Sequence, residues 1–202
     1  MSMTYCLKHE AMMLEKKADT PSGLRLIRGG LQREISIGSL RIVAGPEDKP
    51  PFIVDAVAAE EDTFLVLSAD TRIREPDEHP VRLMTRLIET RPETPGSVLV
   101  KGGRPLRLFA IIHDFNEEPS WREEWIGSAL EGIFREMESR RLGSIALPLL
   151  GTLHGSFEEK SFVMLLGYIL KRISHSHLKQ LWLIVPVGAG SRIIDMLEAG
   201  MK

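Results

Sequence analysis

The chain has 202 residues, of which 27% are charged and 43% hydrophobic, an ordinary globular composition. This length fits one large domain or two small ones, and it is ample for a self-sufficient core. The formal net charge is −2, so no positive field surrounds the molecule that would hold nucleic acid by charge. Any phosphate that the chain binds is therefore expected to belong to a small ligand held by shaped backbone.

Cysteine use and hydropathy indicate the compartment. Cys6 is the only cysteine, which excludes an internal disulfide and a cysteine metal cluster and suits a reducing cytosol. No apolar run approaches the roughly 18 residues that a membrane helix needs. Residues 1–17 lack the pattern of a secretory signal. We expect a cytoplasmic protein that does not contact a membrane, and the sequence predicts no metal site and no cofactor.

The first 30 residues are the least regular part of the chain. A short helix is predicted from Lys8 to Asp19, and two breaks follow, at Pro21-Ser22-Gly23 and at Arg28-Gly29-Gly30. The apolar content of this segment is too low for a core of its own. We interpret residues 1–30 as an N-terminal arm and residues 31–202 as one domain.

The first half of that domain carries mostly strand signals. The run TFLVLSA is almost continuously apolar, which is typical of a strand buried on both faces. The predicted elements are, in chain order, a strand over 31–43 interrupted at Gly38-Ser39, strands over 52–58 and 63–69, a charged loop over 71–80 and a helix over 81–88.

The second half alternates strands with amphipathic helices. The predicted elements are a hairpin of strands 97–101 and 106–113, a helix that starts at Ser120 and stops at Gly143, a strand over 144–150, a helix from Ser156 to Ile173, a strand over 181–187 and a short helix over 192–199. Capping boxes are predicted at the start of the two long helices. Buried strands separated by amphipathic helices predict an α/β domain with helices on both faces of the sheet.

The turn between the strand at 144–150 and the next helix carries the functional signal. Gly151 and Gly155 permit positive φ angles and close backbone approach, and Thr152 and Ser156 offer hydroxyl groups. Several backbone N–H groups are expected to converge here beside the positive end of a helix dipole, an arrangement that favours binding of an anion. Ligands of layered α/β folds bind at the carboxyl ends of the strands, where this turn lies. The alternative is a plain strand-to-helix connection.

This turn and the segment before it resemble a known family. The run SIALPLLGTLHGSF resembles the second ligand-binding loop of macro domains, of which a subset reads Leu-Gly-Thr-Gly-His-Gly-Gly. Upstream, PGSVLVKGGRPLRLFAIIHDF is similar to the glycine-rich hairpin and following strand of that family. The resemblance covers residues 92–198, and residues 53–91 weakly. It implies a three-layer α/β/α sandwich with a mixed, largely parallel central sheet.

The resemblance also implies a ligand, because this loop of macro domains wraps the diphosphate of ADP-ribose. The expected ligand is ADP-ribose or a related nucleotide diphosphate. The residues expected to bind it are Gly151, Thr152, Leu153, His154, Gly155, Ser156 and Phe157.

The sequence departs from the family pattern in both halves of the site. Leu153 and Ser156 stand where the subset has glycines, and a leucine adds bulk and disfavours positive φ. The family strand Asp-Ala-Ile-Val-Asn-Ala-Ala-Asn aligns in two ways. The first alignment begins at Asp55. The second ends at Asp70, which then stands in place of the functional Asn. In the second alignment Asp55 falls near the position of the acid that contacts adenine in the family. Neither contains the asparagines, and the glycine run that follows in the family is absent from residues 71–77.

Three functions remain open on the sequence. We rank first a module that binds ADP-ribose without hydrolysing it. A degenerate macro fold that serves as an interaction domain, with a protein partner or a second copy of itself, ranks second. A hydrolase in which Asp70 orients water, with His113 or His154, ranks third. We expect His113 to be a structural, hydrogen-bonded histidine.

Overall fold

The computed structural model describes residues 24–27, 30–67 and 91–201 of the chain. The predicted helices at 8–19 and 81–88 and the candidate catalytic residue Asp70 lie outside these residues. The strands are β1 (Leu24–Ile27), β2 (Gly30–Ile37), β3 (Leu40–Gly45), β4 (Ala56–Asp62), β5 (Val98–Lys101), β6 (Leu106–His113), β7 (Ser144–Pro148) and β8 (Gln180–Ile184). The helices of the described part are α1 (Glu123–Ser139), α2 (Glu159–Arg172) and α3 (Gly190–Gly200).

The described strands form one mixed sheet in the order β1-β2-β3-β8-β7-β4-β6-β5. The central strands β3, β8, β7, β4 and β6 are parallel, whereas β1, β2 and β5 join at the sides as antiparallel neighbours. The carboxyl ends of the parallel strands therefore meet at one edge of the sheet, the carboxyl edge. The predicted mixed, largely parallel sheet is confirmed.

The core lies against strands that are buried on both faces. Six consecutive residues of β6, from Leu108 to His113, are buried, and so are the first four of β7. Successive strand residues point to opposite faces, so layers of chain must cover both sides of the sheet. Helix α1 packs on β5 and β6, and α3 packs on β2 and β3. This is the predicted α/β/α fold class. No helix in the described residues is long and apolar enough to cross a membrane.

Residues 63–67, the described part of the segment TFLVLSA, do not form the predicted strand. The strand is β4, and the chain leaves it at Thr63 in a turn. The cause is Asp62, whose carboxylate accepts hydrogen bonds from the N–H groups of Phe64, Val66 and Leu67 at 2.7–2.8 Å. Those groups are not available to a neighbouring strand, and Leu65 has a left-handed φ of 59°. The prediction was wrong for residues 63–67.

The predicted helix boundaries also need correction. Helix α1 begins at Glu123 and α2 at Glu159, and neither start has a side-chain capping hydrogen bond. Neither capping box therefore forms. Helix α1 ends at Ser139, and the left-handed residue beyond it is Arg141, with φ 56°, rather than Gly143. The N–H of Gly143 donates to a carboxylate instead.

Candidate functional site

The candidate site lies at the carboxyl edge, where β4 ends at Asp62, β6 at His113 and β7 at Pro148. Residues 151–157, here called the β7–α2 loop, cover this edge next to the start of α1. The rings of Trp121 and Phe157 pack with their centroids 5.0 Å apart. The side chain of Phe157 is thus packed into the core rather than presented to a ligand.

Both glycines of the β7–α2 loop are required by its geometry. Gly151 has φ 78°, and a Cβ there would lie 2.7 Å from Cδ1 of Ile126. A Cβ on Gly155 would lie 2.7 Å from the carbonyl oxygen of Gly151 and 2.7 Å from Cδ1 of Trp121. No real Cβ atom sits so close to a backbone oxygen, so the loop passes over β6 only because Gly155 has no side chain.

Leu153 does not obstruct the site. Its side chain is 79% exposed, so it points into solvent, and its φ is not left-handed. The non-glycine residue of the loop with a left-handed φ, 51°, is Ser156. The expectation that Leu153 would disfavour the turn was therefore wrong, and the strained position is Ser156, three residues further on.

The backbone donors of the loop divide into used and unused groups. The N–H of Thr152 donates to Leu149 O and that of Phe157 to Gly151 O, while the Thr152 hydroxyl also donates to Leu149 O. The N–H groups of three residues make no hydrogen bond to the described part of the chain; these are Leu153, Gly155 and Ser156. Several unused N–H groups close together in one loop can donate hydrogen bonds to a bound anion.

Glu60 joins the loop and was missed at the sequence level. Its Oε2 accepts the N–H of Gly151 at 2.7 Å, and its Oε1 lies 3.5 Å from Nε2 of His154. The Glu60 side chain is only 8% exposed, and that of His154 45%. Burial raises the pKa of Glu60, against smaller opposing effects from the Gly151 N–H and from His154. The sequence signal was the run of three acids that ends the strand AVAAEED, of which Glu60 is the first.

His113 is fully buried beneath the loop. Its Nδ1 lies 3.4 Å from the hydroxyl of Ser120, and its ring is 6.4 Å from that of His154, edge to face. Burial lowers the pKa of His113; His154 lowers it further and Asp62 opposes the change. The imidazole is therefore neutral at pH 7. The predicted structural role agrees with this burial, although Nε2 has no hydrogen-bond partner among the described residues.

Asp62 stands where the strand motif of the family ends. The structure makes Ala56–Asp62 the strand, so the alignment that begins at Asp55 is the one that fits. Counted from Asp55, the last Asn of the motif Asp-Ala-Ile-Val-Asn-Ala-Ala-Asn falls on Asp62. Its carboxylate already accepts hydrogen bonds from three N–H groups of its own chain, those of Phe64, Val66 and Leu67.

Asp55, expected near an adenine, is not brought to this site. It precedes β4 at the amino edge of the sheet, and its Oδ2 accepts hydrogen bonds from the N–H groups of Gly143 and Ser144. A half-open cavity of about 580 Å³ lies at this amino edge. It is lined by Ile53, Val54, Asp55, Gly103, Arg104, Pro105, Leu106, Arg140 and Leu142.

Unpaired polar atoms favour the carboxyl edge over that cavity. Four buried side-chain polar atoms of the described residues lack a partner, and three lie on β4, β6 or the turn after β4: Glu60 Oε1, Thr63 Oγ1 and His113 Nε2. Buried polar atoms are normally satisfied by protein, water or a ligand. In the described part of the chain, no three acidic, histidine or cysteine side chains are grouped as a metal ion would require.

Comparison with solved structures identifies the fold. The chain is similar to the macrodomain of Oceanobacillus iheyensis with ADP (15% identity, 84% of this chain and 94% of that one, TM-score 0.57). A mutant of that macrodomain with ADPR gives 13% identity, 84% and 96% coverage and a TM-score of 0.58. The macrodomain of Thermus aquaticus DarG gives 20% identity, 73% and 98% coverage and a TM-score of 0.53.

These similarities establish a macrodomain-like fold, as the sequence resemblance implied. The sequence itself matches no protein-family model and no curated protein. At such identities the likeness shows the fold and leaves the function to the site.

Proposed function

We propose that this protein is a macrodomain-like module that binds ADP-ribose or a related nucleotide diphosphate through the β7–α2 loop without hydrolysing it. The observation that carries the proposal is the set of unused N–H groups at Leu153, Gly155 and Ser156, on a loop whose glycines leave no room for side chains. Two of the similar structures contain ADP or ADPR, which supports this ligand class.

Backbone amides suit this ligand because they carry fixed partial charge without adding net charge. A diphosphate between the loop and the start of α2 would accept several N–H bonds at once. The loop needs no reorganisation of its glycines to do so, since Gly151 already holds its left-handed φ. Recognition by backbone agrees with a chain whose net charge is −2.

The absence of hydrolysis is proposed from the state of Asp62. A general base must present a free lone pair to the water that it activates. The Asp62 carboxylate is fully buried and accepts three backbone N–H bonds, which hold it away from that role.

Isothermal titration with ADP-ribose tests the proposal. We expect saturable binding in the micromolar range, with no release of free ADP-ribose when an ADP-ribosylated peptide is incubated with the protein. No heat up to about 1 mM ligand, equivalent to about −4 kcal/mol, would contradict binding. Release of ADP-ribose by the purified protein would contradict the lack of hydrolysis.

One observation favours an interaction domain as the second candidate. Exposed apolar side chains follow four of the parallel strands at the carboxyl edge: Val66, Phe115, Leu153 and Val187. Exposed apolar groups that gather on one side of a protein indicate a partner surface. Under this alternative the protein self-associates, and Leu153→Asp shifts a dimer to monomer in sedimentation experiments. A wild-type monomer at every concentration would contradict self-association.

A further inference from the structure

The inner half of the β7–α2 loop is already occupied by a carboxyl group of the chain itself. Glu60 Oε2 accepts the N–H of Gly151 at 2.7 Å, and the backbone N–H of His154 also stabilises this carboxylate. The outer N–H groups of Leu153, Gly155 and Ser156 remain unused. A carboxylate and a diphosphate would thus share one short loop.

The surroundings of Glu60 compensate its charge only in part. Its Oε1 has no hydrogen-bond partner in the described residues, and Nε2 of His154 lies 3.5 Å away. The residue opposite Glu60 on β6 is Ala110, which carries no charge. The other titratable groups nearby are His113, packed against His154, and Glu61 and Asp62 on the same strand.

We infer that Glu60 is an internal competitor of the ligand, and that its charge sets both the affinity of the β7–α2 loop for a diphosphate and the pH dependence of that affinity. This inference rests on the proposed function. It gives Glu60 a role in the site: the protein binds an anion more tightly when Glu60 is protonated than when it is ionised.

The sign of the effect follows from electrostatics in a buried site. An ionised Glu60 repels a diphosphate across a poorly solvated distance, and a protonated Glu60 does not. Bound anion therefore favours the protonated acid, so binding takes up a proton, and affinity rises as pH falls through the titration of Glu60. Protonation of the buried His113 acts in the same direction. Only a comparison with a variant that lacks the Glu60 charge isolates its share.

Glu60→Gln provides that comparison. Glutamine keeps the shape and an oxygen that accepts the Gly151 N–H, so the loop is expected to retain its conformation. We expect the Kd for ADP-ribose to fall about tenfold at about pH 8, equivalent to about 1.4 kcal/mol, with the difference shrinking as the pH is lowered. Glu131→Gln is the matched control, because Glu131 is an exposed glutamate more than two turns into α1, away from the loop. It is expected to change the Kd much less.

A second measurement needs no ligand. The amide proton of Gly151 donates to the Glu60 carboxylate, so its NMR shift should follow the ionisation of Glu60 in the wild-type protein and become independent of that ionisation in Glu60→Gln. A Gly151 signal that does not titrate in the wild type would overturn the inference.

The outcomes separate the two proposals. Measurable binding by the wild type, with tighter binding by Glu60→Gln at high pH, supports both. Equal affinities of the two proteins across the pH range overturn the inference and leave the proposed function standing. If no variant binds ADP-ribose at any pH, the proposed function is wrong and the inference falls with it.

Discussion

Asp55 and Ser144 hold each other by reciprocal hydrogen bonds. Asp55 Oδ2 accepts both the N–H and the hydroxyl of Ser144 at 3.0 Å, and the N–H of Asp55 donates to Ser144 Oγ at 2.9 Å. These bonds join the start of β4 to the start of β7, at the edge of the sheet opposite to the β7–α2 loop. Asp55 is therefore a structural residue here.

Asp55→Ala is expected to lower stability without changing ligand binding. The change leaves the N–H groups of Gly143 and Ser144 without their acceptor, at a cost of about 1–3 kcal/mol. Urea unfolding measures this loss, and titration with ADP-ribose below the unfolding transition should give the wild-type Kd. A variant of unchanged stability that loses affinity would restore Asp55 as a ligand contact.

Gly155→Ala is expected to deform the β7–α2 loop. Its new Cβ would meet the Gly151 carbonyl oxygen and the Trp121 ring, both at 2.7 Å, so the backbone has to move. We expect a loss of about 1–3 kcal/mol in unfolding free energy and at least about tenfold weaker ligand binding.

The control for this substitution is Gly102→Ala. Gly102 lies in the β5–β6 turn, has no left-handed φ and would present its Cβ to open space. It should keep wild-type affinity and stability within about 0.5 kcal/mol. Equal effects of the two alanines would mean that the close approach at Gly155 is not what shapes the loop.

Arg141→Gly is expected to stabilise the fold. Arg141 follows α1 with φ 56°, a conformation that costs an L-residue about 1–2 kcal/mol and costs glycine little. The neighbouring Arg140 has a right-handed φ of −92°, so Arg140→Gly should be destabilising. Thermal unfolding of both variants tests the pair, and a lower melting temperature for Arg141→Gly would contradict the explanation.

His113 is expected to make stability depend on pH. Its pKa in the folded protein is lowered below the ordinary histidine value of 6.5, first by burial and then by His154. As pH falls below 6.5, the unfolded chain takes up a proton that the folded protein resists, so the free energy of unfolding decreases. Urea unfolding of the wild type should show this decrease, and His113→Gln should show less of it. Parallel pH profiles for the two proteins would refute the role of His113.

Elements with strong local signals could be predicted from the sequence. The β5–β6 hairpin, α1, β7 and the glycine loop all carry patterns that lie within a few consecutive residues. The error at TFLVLSA is instructive, because an apolar run does not reveal whether its N–H groups will meet a neighbouring strand or the carboxylate of Asp62. Both capping boxes failed because the helices begin three residues after the serine, at Glu123 and Glu159.

The site was less predictable because its key contact is remote in the chain. Glu60 and Gly151 are 91 positions apart, and only the pairing of β4 with β7 brings them together. A single sequence carries no signal for such a contact. The resemblance to macro domains located the loop, but it could not indicate that an acid of this chain would occupy the loop donors.

The pairing of β3 with β8 has a consequence for synthesis of the protein. The indole N–H of Trp182 donates to the carbonyl of Gly45, 137 positions earlier, and the two strands pair in parallel from Arg41 to Gly45. During synthesis on the ribosome, the backbone groups of β3 that pair with β8 therefore stay unpaired until β8 has emerged. A nascent chain in this state exposes backbone that invites aggregation, so chaperone demand should be highest just before the last strand leaves the exit tunnel.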